Sequence, residues 1–262
     1  MTAHPTLTAD EIFEEVIVAP RRAFPVLPDT RVIERPGWLQ IVTPSIKTGG
    51  LNEVIYSALP DDEAEAIIDA TLAQYRELGL KFRWNAGPGS APADLGTRLL
   101  RCGLVESWGR GMARTIDDTI VADAAIAVDA VDATNVDVFS RVMAEGWDTE
   151  VTAIAALNRA LVAAPGVRTE SRQRMFIASC DREPAATASY VALPRSAYLV
   201  GGVVLPRFRG RGLYRALVNA RLVDARARGL VLATSHAREA TSAPILERLG
   251  FTTVCRFPLY FG

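Results

Sequence analysis

The apolar positions of this chain change period repeatedly, and each change marks an element. The plainest example runs from Tyr198 to Gly229. Leu199 to Leu205 is an apolar run the length of one buried strand, and Pro206 ends it, having no N–H to give to a ladder. Leu213, Ala216, Leu217, Ala220, Val223 and Ala227 then recur at helical spacing, with Arg215, Asn219 and Arg226 elsewhere. Gly229 stands where a helix C-cap glycine belongs. The stretch predicts a strand, a turn rich in glycine and arginine, and an amphipathic helix.

The same logic applies upstream. Thr8 with Asp10 and Glu11 predicts an N-cap and a helix towards Arg22, and Pro25 and Pro28 break the chain after it. Val32-Ile33 and Trp38 to Val42 predict short strands around a Pro36-Gly37 turn, and Leu51 to Ala58 another. Pro60-Asp61-Asp62-Glu63 opens a helix with Ala64, Ile67, Ile68, Tyr75 and Leu78 on its buried face, ended by Gly79. Leu80 to Trp84 predicts a strand, Asp94 to Cys102 a short helix, and Leu104 to Ala113 a strand or hairpin.

A boundary is expected near Thr115 to Thr119. Beyond it, Ile120 to Val131 predicts a strand. Asp132 to Gly146 and Thr149 to Ala164 predict two helices, the second closed by Pro165-Gly166. Met175 to Cys180 and Ala186 to Leu193 predict strands joined by a charged turn.

The two halves share an order. Helix, glycine, strand recurs around Gly79 and Gly229, an offset of 150 (229 minus 79). Arg101-Cys102-Gly103-Leu104 parallels Arg248-Leu249-Gly250-Phe251 at an offset of 147 (250 minus 103). A near-constant offset predicts a duplicated, diverged unit. The copies differ at one point: Arg209-Gly210-Arg211-Gly212 in the second is Leu59-Pro60-Asp61-Asp62 in the first.

That difference bears on chemistry. The first N–H groups of a helix have no intrahelical partner and lie at the positive end of its dipole. Glycines allow close backbone approach to an anion, and arginines add charge-assisted hydrogen bonds. The second copy is therefore read as a phosphate cradle. Carboxylates at the same place in the first would repel a pyrophosphate.

The turn resembles the acetyl-coenzyme-A motif of the GNAT superfamily of N-acetyltransferases, Q/R-x-x-G-x-G/A after a strand ending in valine and proline. Arg209 and Gly212 fit the first and fourth positions, and Tyr214 departs from the sixth. Arg207, Gly210 and Gly212 fit a second register, two residues earlier. Downstream, Ile245, Gly250 and Phe251 are similar to the family's final L-Y-x-x-x-G-F, with Leu246 in place of the phenol proposed as general acid in many members. The resemblance covers about residues 118 to 262.

It implies an α/β protein of two GNAT-like units, each a mixed, mostly antiparallel sheet flanked by helices. Residues 1–116 would form a degenerate unit without the coenzyme motif, and 117–262 an acetyltransferase domain. The activity implied is transfer of acetyl from acetyl-CoA, as co-substrate, to a small-molecule amine. Arg209, Gly210, Arg211, Gly212, Leu213 and Tyr214 would hold the pyrophosphate. Val203, Val204 or Leu205 would supply a main-chain donor to the thioester, and Ser242 would cap the last helix or bond the coenzyme. Glu239 and His236 are the candidate bases, and Tyr214 and Tyr260 the phenols that could replace the missing acid. The competing reading is a catalytically inactive coenzyme-A-binding regulator or scaffold of the same fold. A nucleotide-binding domain is disfavoured because no G-K-[S/T] follows the turn.

Composition narrows partners. The chain has 262 residues, 49% apolar, with net charge −1, so it can fill a core and carries no global basic field for nucleic acid or anionic membrane. Lys47 and Lys81 are the only lysines among 29 basic side chains, an arginine and alanine bias expected of a high-GC bacterial genome. Cys102, Cys180 and Cys255 lie far apart, and His4 and His236 are too few for a histidine-rich metal site, so no metal is expected. The polar N-terminal stretch and the lack of a spanning run lead us to expect a cytoplasmic protein. The reading allows a homodimer.

Overall fold

The computed structural model describes residues 7–47, 50–163 and 173–262. His4 and the Pro165-Gly166 helix stop lie outside them. In chain order the elements are α1 (Ala9–Phe13), running on through a π turn (Glu14–Val18) and a 3₁₀ turn (Ala19–Arg22), then β1 (Arg31–Arg35), β2 (Trp38–Val42), β3 (Glu53–Ser57), α2 (Ala64–Glu77), β4 (Arg83–Asn85), α3 (Leu95–Arg101) and β5 (Val105–Thr115). They continue with β6 (Val128–Ala130), α4 (Val136–Trp147), α5 (Val151–Ala163), β7 (Gln173–Cys180), β8 (Glu183–Ala192), β9 (Ser196–Val204), α6 (Leu213–Ala227), β10 (Leu232–Arg238), α7 (Ser242–Arg248) and β11 (Thr252–Phe261).

The chain forms two compact units, and no single cut separates them. One comprises the described residues up to Ala23, Gly111–Ala237 and Thr241–Val254; the other Phe24–Arg110, Arg238–Ala240 and Cys255–Gly262. Both have the GNAT-like α/β architecture expected.

In the first of these, which contains the motif turn, the strand order is β5-β10-β9-β8-β7-β6. The ladders β6/β7, β7/β8 and β8/β9 are antiparallel, and β9/β10 is parallel, joined by α6. The β7/β8 hairpin turns on Asp181 and Arg182, both at positive φ (52° and 67°), the conformation that matches strand twist. Helix α6 buries Leu213, Ala216, Leu217, Val218, Arg221, Leu222 and Ala225. The face expected from Ala220, Val223 and Ala227 is therefore rotated after the first two turns, and it takes in a charged residue. Arg221 is fully buried; its Nε donates to Leu217 O and one Nη to Ser189 O at 2.9 Å. The predicted strand over 120–131 is reduced to β6, because only 128–130 pair in register with β7, with Ala127 O and Val131 N–H bonding to it at the two ends.

In the other unit the order is β1-β2-β3-β4-β11, with β3/β4 parallel through α2. Its core gathers Trp38, Ile68, Tyr75, Trp84, Leu95, Leu99 and Tyr260. The Trp84 indole donates to the buried Ser57 hydroxyl at 2.9 Å, so its one polar atom is satisfied. The duplicated glycines adopt the conformation the repeat requires: Gly79 and Gly229 end α2 and α6 at φ 62° and 79°, and Gly103 and Gly250 follow α3 and α7 at 86° and 83°.

Candidate functional site

Strand β9 carries a bulge. Val200 pairs with Ser189 and Val203 with Thr187, so Gly201 and Gly202 oppose Ala188 alone. Gly201 has φ 63°, and a Cβ on Gly202 would lie 3.0 Å from the Tyr214 ring. Glycine is required at one for conformation and at the other for space.

The parallel β9/β10 ladder runs only from Ser196/Leu232 to Leu199/Ser235. Beyond it both strands continue without pairing to one another, which opens a wedge beside the bulge. Leu205 N–H is taken by Ala185 O at 3.0 Å. Because successive residues of a strand point their amides to opposite edges, Val204 N–H then faces away from β8, on the open edge. Of the three expected main-chain donors, Val204 has the required direction. Leu205 is fully buried with its amide engaged. The Val203 side chain packs on Gly146 of α4.

The motif turn follows a short 3₁₀ turn at Pro206–Phe208. Gly210 and Gly212 are both left-handed (φ 79° and 82°), and Gly212 is the N-cap of α6. Phe208 is buried beneath the turn, with the guanidiniums of Arg207 and Arg211 over its ring. Among the described residues no acceptor takes the N–H groups of residues 210–215, and the first turn of α6 holds no acidic side chain. Consecutive unpartnered amides at the positive end of a 15-residue helix form an anion cradle.

The arginines divide. Arg207 pairs with Glu145 and Glu183, Arg211 with Asp181, and Arg215 with Asp123. Arg209 has no carboxylate partner among the described residues; its Nε reaches Val204 O at 3.4 Å. Tyr214, half-buried, lies against the bulge. Burial pushes its phenol up, against the opposing pull of Arg221.

The catalytic candidates fare differently. Glu239 is held by two arginines, Arg256 Nη2 at 2.8 Å and Arg110 Nε at 3.1 Å. The Arg256 hydrogen bond, with Arg110 beside it, holds its carboxyl below the usual range, so both oxygens are occupied and basicity is low. Tyr260 packs in the core of the other unit and donates to Glu106 at 2.8 Å; burial, then Glu106, pushes it up to about 12. Neither has the character of a base or acid working near neutrality. Ser242 is the first residue of α7, and Thr241 stands at the N-cap position before it. Leu246 is fully buried in the core.

His236 is the candidate beside the wedge, one residue past the last β10 pair. Its Nε2 lies 2.7 Å from Val16 O, and its ring meets Tyr198 edge-on at 5.2 Å. A carbonyl only accepts, so Nε2 carries the proton. Sequence reasoning missed Tyr198 and the N-terminal segment here, because both depend on long-range packing.

The equivalent wedge in the other unit is closed by the chain itself. Strands β3 and β4 pair at Glu53/Arg83 and Val54/Trp84. Ala91 then bridges to Ala58, accepting from Leu59 N–H and donating to Ser57 O, each at 3.0 Å. Among the described residues no group of three His, Cys, Asp or Glu comes together, and no helix is long and apolar enough to cross a membrane.

Comparison with known proteins agrees with this geometry. Residues 142–251 match the model of the acetyltransferase (GNAT) family, a stretch that runs from within α4 through α5, the bulged strand and the motif turn to α7. A search of curated proteins returns no significant match. Among solved structures, a GCN5-related N-acetyltransferase from Kribbella flavida superposes with TM-score 0.63 at 15% identity, covering 94% of each chain. A functionally unknown conserved protein from Staphylococcus epidermidis gives 0.64 at 11% identity, covering 90% of this chain and 94% of that one. A tandem GNAT protein from the clavulanic acid biosynthesis pathway gives 0.58 at 14%, covering 100% of this chain and 89% of its own. At these identities the likeness is one of fold.

Proposed function

We propose that this chain is an acetyl-CoA-dependent N-acetyltransferase acting on the amine of a small molecule. We assign the site to the unit that holds β9 and α6, and we take the unit built mainly from Phe24–Arg110, the core of the expected 1–116, as a diverged copy without a coenzyme site. One observation carries the reading: the unpartnered amides of residues 210–215 converge beside the unpaired cation Arg209, next to an unzipped pair of parallel strands.

That cradle suits a pyrophosphate, and the wedge suits an extended arm. When bound, the coenzyme would supply an acetyl thioester. Val204 N–H, on the open edge of β9, would orient and polarise its carbonyl. His236, with Nε2–H fixed by Val16 O, would take the acceptor's proton at Nδ1. With Tyr260 engaged by Glu106, the thiol, of pKa near 8.5, would leave without the phenol that Leu246 replaces.

A second reading, a coenzyme-binding protein without turnover, draws support from Glu239 and Tyr260 being engaged elsewhere. Thermal melts with acetyl-CoA, beside Arg209→Glu, test the coenzyme site. Binding at a hundredfold excess over Kd adds about 2.7 kcal/mol. An upward shift lost in the variant is expected, and no shift at millimolar coenzyme would sink both readings. Turnover with any amine then separates them.

A further inference from the structure

The face of α6 that begins at the motif turn carries on beyond it. Gly212, Arg215, Asn219 and Arg226 follow one another at intervals of three, four and seven residues, so they share one side of the helix. The segment before β6 runs along that side in the opposite sense. Ile126 lies against Gly212, Asp123 pairs with Arg215 at 3.0 Å, and Ile120 O accepts from Arg226 at 3.2 Å. Between this segment, Asn219 and the end of α7 lies a cavity of about 380 Å³, within the size range of small-molecule sites. Every residue that lines it belongs to the motif-bearing unit.

Its lining is of two kinds. Ile120, Val121 and Leu249 give an apolar wall, and Val121 stands 67% exposed at its lip. Arg114 and Arg248 bring two guanidiniums. Arg114 Nη1 donates to Leu249 O, and its Cζ lies 3.5 Å from where a Cβ on Gly250 would stand, so this cation is held in place. Arg211, Arg215 and Arg226 all have carboxylate partners. Among the described residues Arg114 and Arg248 have none within ion-pair distance, and the Asn219 amide has no hydrogen-bond partner. The neighbouring Asp117 carboxylate accepts from the N–H and hydroxyl of Thr119. An apolar wall edged by two uncompensated guanidiniums and an amide suits a phosphorylated purine nucleoside, with the base on the wall and the phosphate on the arginines.

We propose that this cavity takes the adenosine end of the coenzyme, with its ribose 3′-phosphate on Arg114 and Arg248. From Gly212 to Asn219 is seven residues, about 10 Å of helix, so one ligand can reach both the amide cradle and the cavity. With the pantetheine arm in the wedge, the adenosine is the part left to follow α6. The identity of the ligand rests on the coenzyme reading of the motif turn.

The test is titration calorimetry of the whole protein with coenzyme A and with 3′-dephospho-coenzyme A, without turnover. Wild type is expected to bind the first at least tenfold more tightly. Arg248→Ala, at an exposed side chain, should lose most of that preference and bind the dephospho form as wild type does. Equal binding of the two by wild type, or an undiminished preference in Arg248→Ala, overturns the proposal and leaves the pyrophosphate site standing. Should Arg248→Ala not fold, Val121→Glu decides: a carboxylate at the exposed lip should cut the preference at least tenfold, and an unchanged preference overturns the proposal. If wild type binds neither coenzyme, the coenzyme reading itself falls. Adenosine 3′,5′-bisphosphate then decides for the cavity: binding that Arg248→Ala weakens keeps it as a nucleotide site, and no binding overturns it.

Discussion

The Nε of Arg209 donates to the carbonyl oxygen of Val204 at 3.4 Å, folding the first residue of the motif turn back onto the strand that feeds it. Arg207, Arg211 and Arg215 each have a carboxylate partner. A ligand phosphate can therefore claim Arg209 without breaking an ion pair. Arg209→Ala should weaken acetyl-CoA binding at least tenfold, about 1.4 kcal/mol. Arg211→Ala should cost less than threefold, since Asp181 already competes for that guanidinium. Isothermal titration measures both, and equal losses would mean that net charge alone sets affinity.

The last turn of α4 touches the bulged strand through Gly146. A Cβ there would lie 2.4 Å from Val203 Cγ2. Gly146→Ala should destabilise by about 1–3 kcal/mol through overpacking. Val203→Ala in the same chain should recover part of that loss, because the two residues share the contact. Denaturant midpoints of the singles and the double decide. Strict additivity would place the clash elsewhere.

How much was legible in the sequence follows from the range of each interaction. The motif turn, α6 and the four punctuating glycines are set by neighbours within a few residues, and they stand where the pattern put them. Val128–Ala130 shows the opposite case: alanine and valine suit a strand across 120–131, but only the end of that run, around 128–130, meets a partner edge. Arg221 defeated the period because two of its nitrogens reach carbonyls of α6 and β8, invisible to helical spacing. The engagement of Glu239 was hidden for a similar reason. Its partners, Arg110 and Arg256, lie 129 and 17 residues away.

Tyr260 should make stability fall at high pH. Its phenol moves from an ordinary value near 10 up to about 12, through burial first and Glu106 second. A raised folded value means that the neutral form is favoured. The stability it contributes is complete below pH 10 and is lost as pH rises through 12. Melts between pH 9 and 12 should show an alkaline decline that is shallower in Tyr260→Phe. Parallel curves would leave the phenol without a part in it.

Two substitutions separate the candidate bases. Glu239→Gln breaks a half-buried carboxylate–arginine network and should leave kcat/KM within twofold, since both its oxygens already face guanidiniums. Its effect on stability should appear above the carboxylate's ordinary pKa and vanish as pH falls. His236→Gln, which keeps a donor towards Val16 O, should lower kcat by 10²-fold or more while leaving the coenzyme melt shift intact. A large loss in Glu239→Gln with none in His236→Gln would reverse the assignment.

Coenzyme should bind once per chain. The two units repeat the strand–helix–strand order, and each central strand is bulged, β9 at Gly201-Gly202 and β3 at Ile55, which β2 leaves unopposed. They part at the wedge. Beside β9 it is open; beside β3 the bridge of Ala91 to Ala58, with Leu59 N–H on Ala91 O, occupies the edge an extended ligand would need. The helix starts part too: α6 begins on unpartnered amides, whereas α2 begins behind Asp61, Asp62 and Glu63, with Arg98 already bound to Asp61. An anion at α2 would face repulsion from those carboxylates at the end of the helix that otherwise attracts it. Titration calorimetry should thus return a stoichiometry near one, and Arg209→Glu should abolish it entirely. A second, weaker isotherm surviving in that variant would place a functional site in the unit we read as diverged.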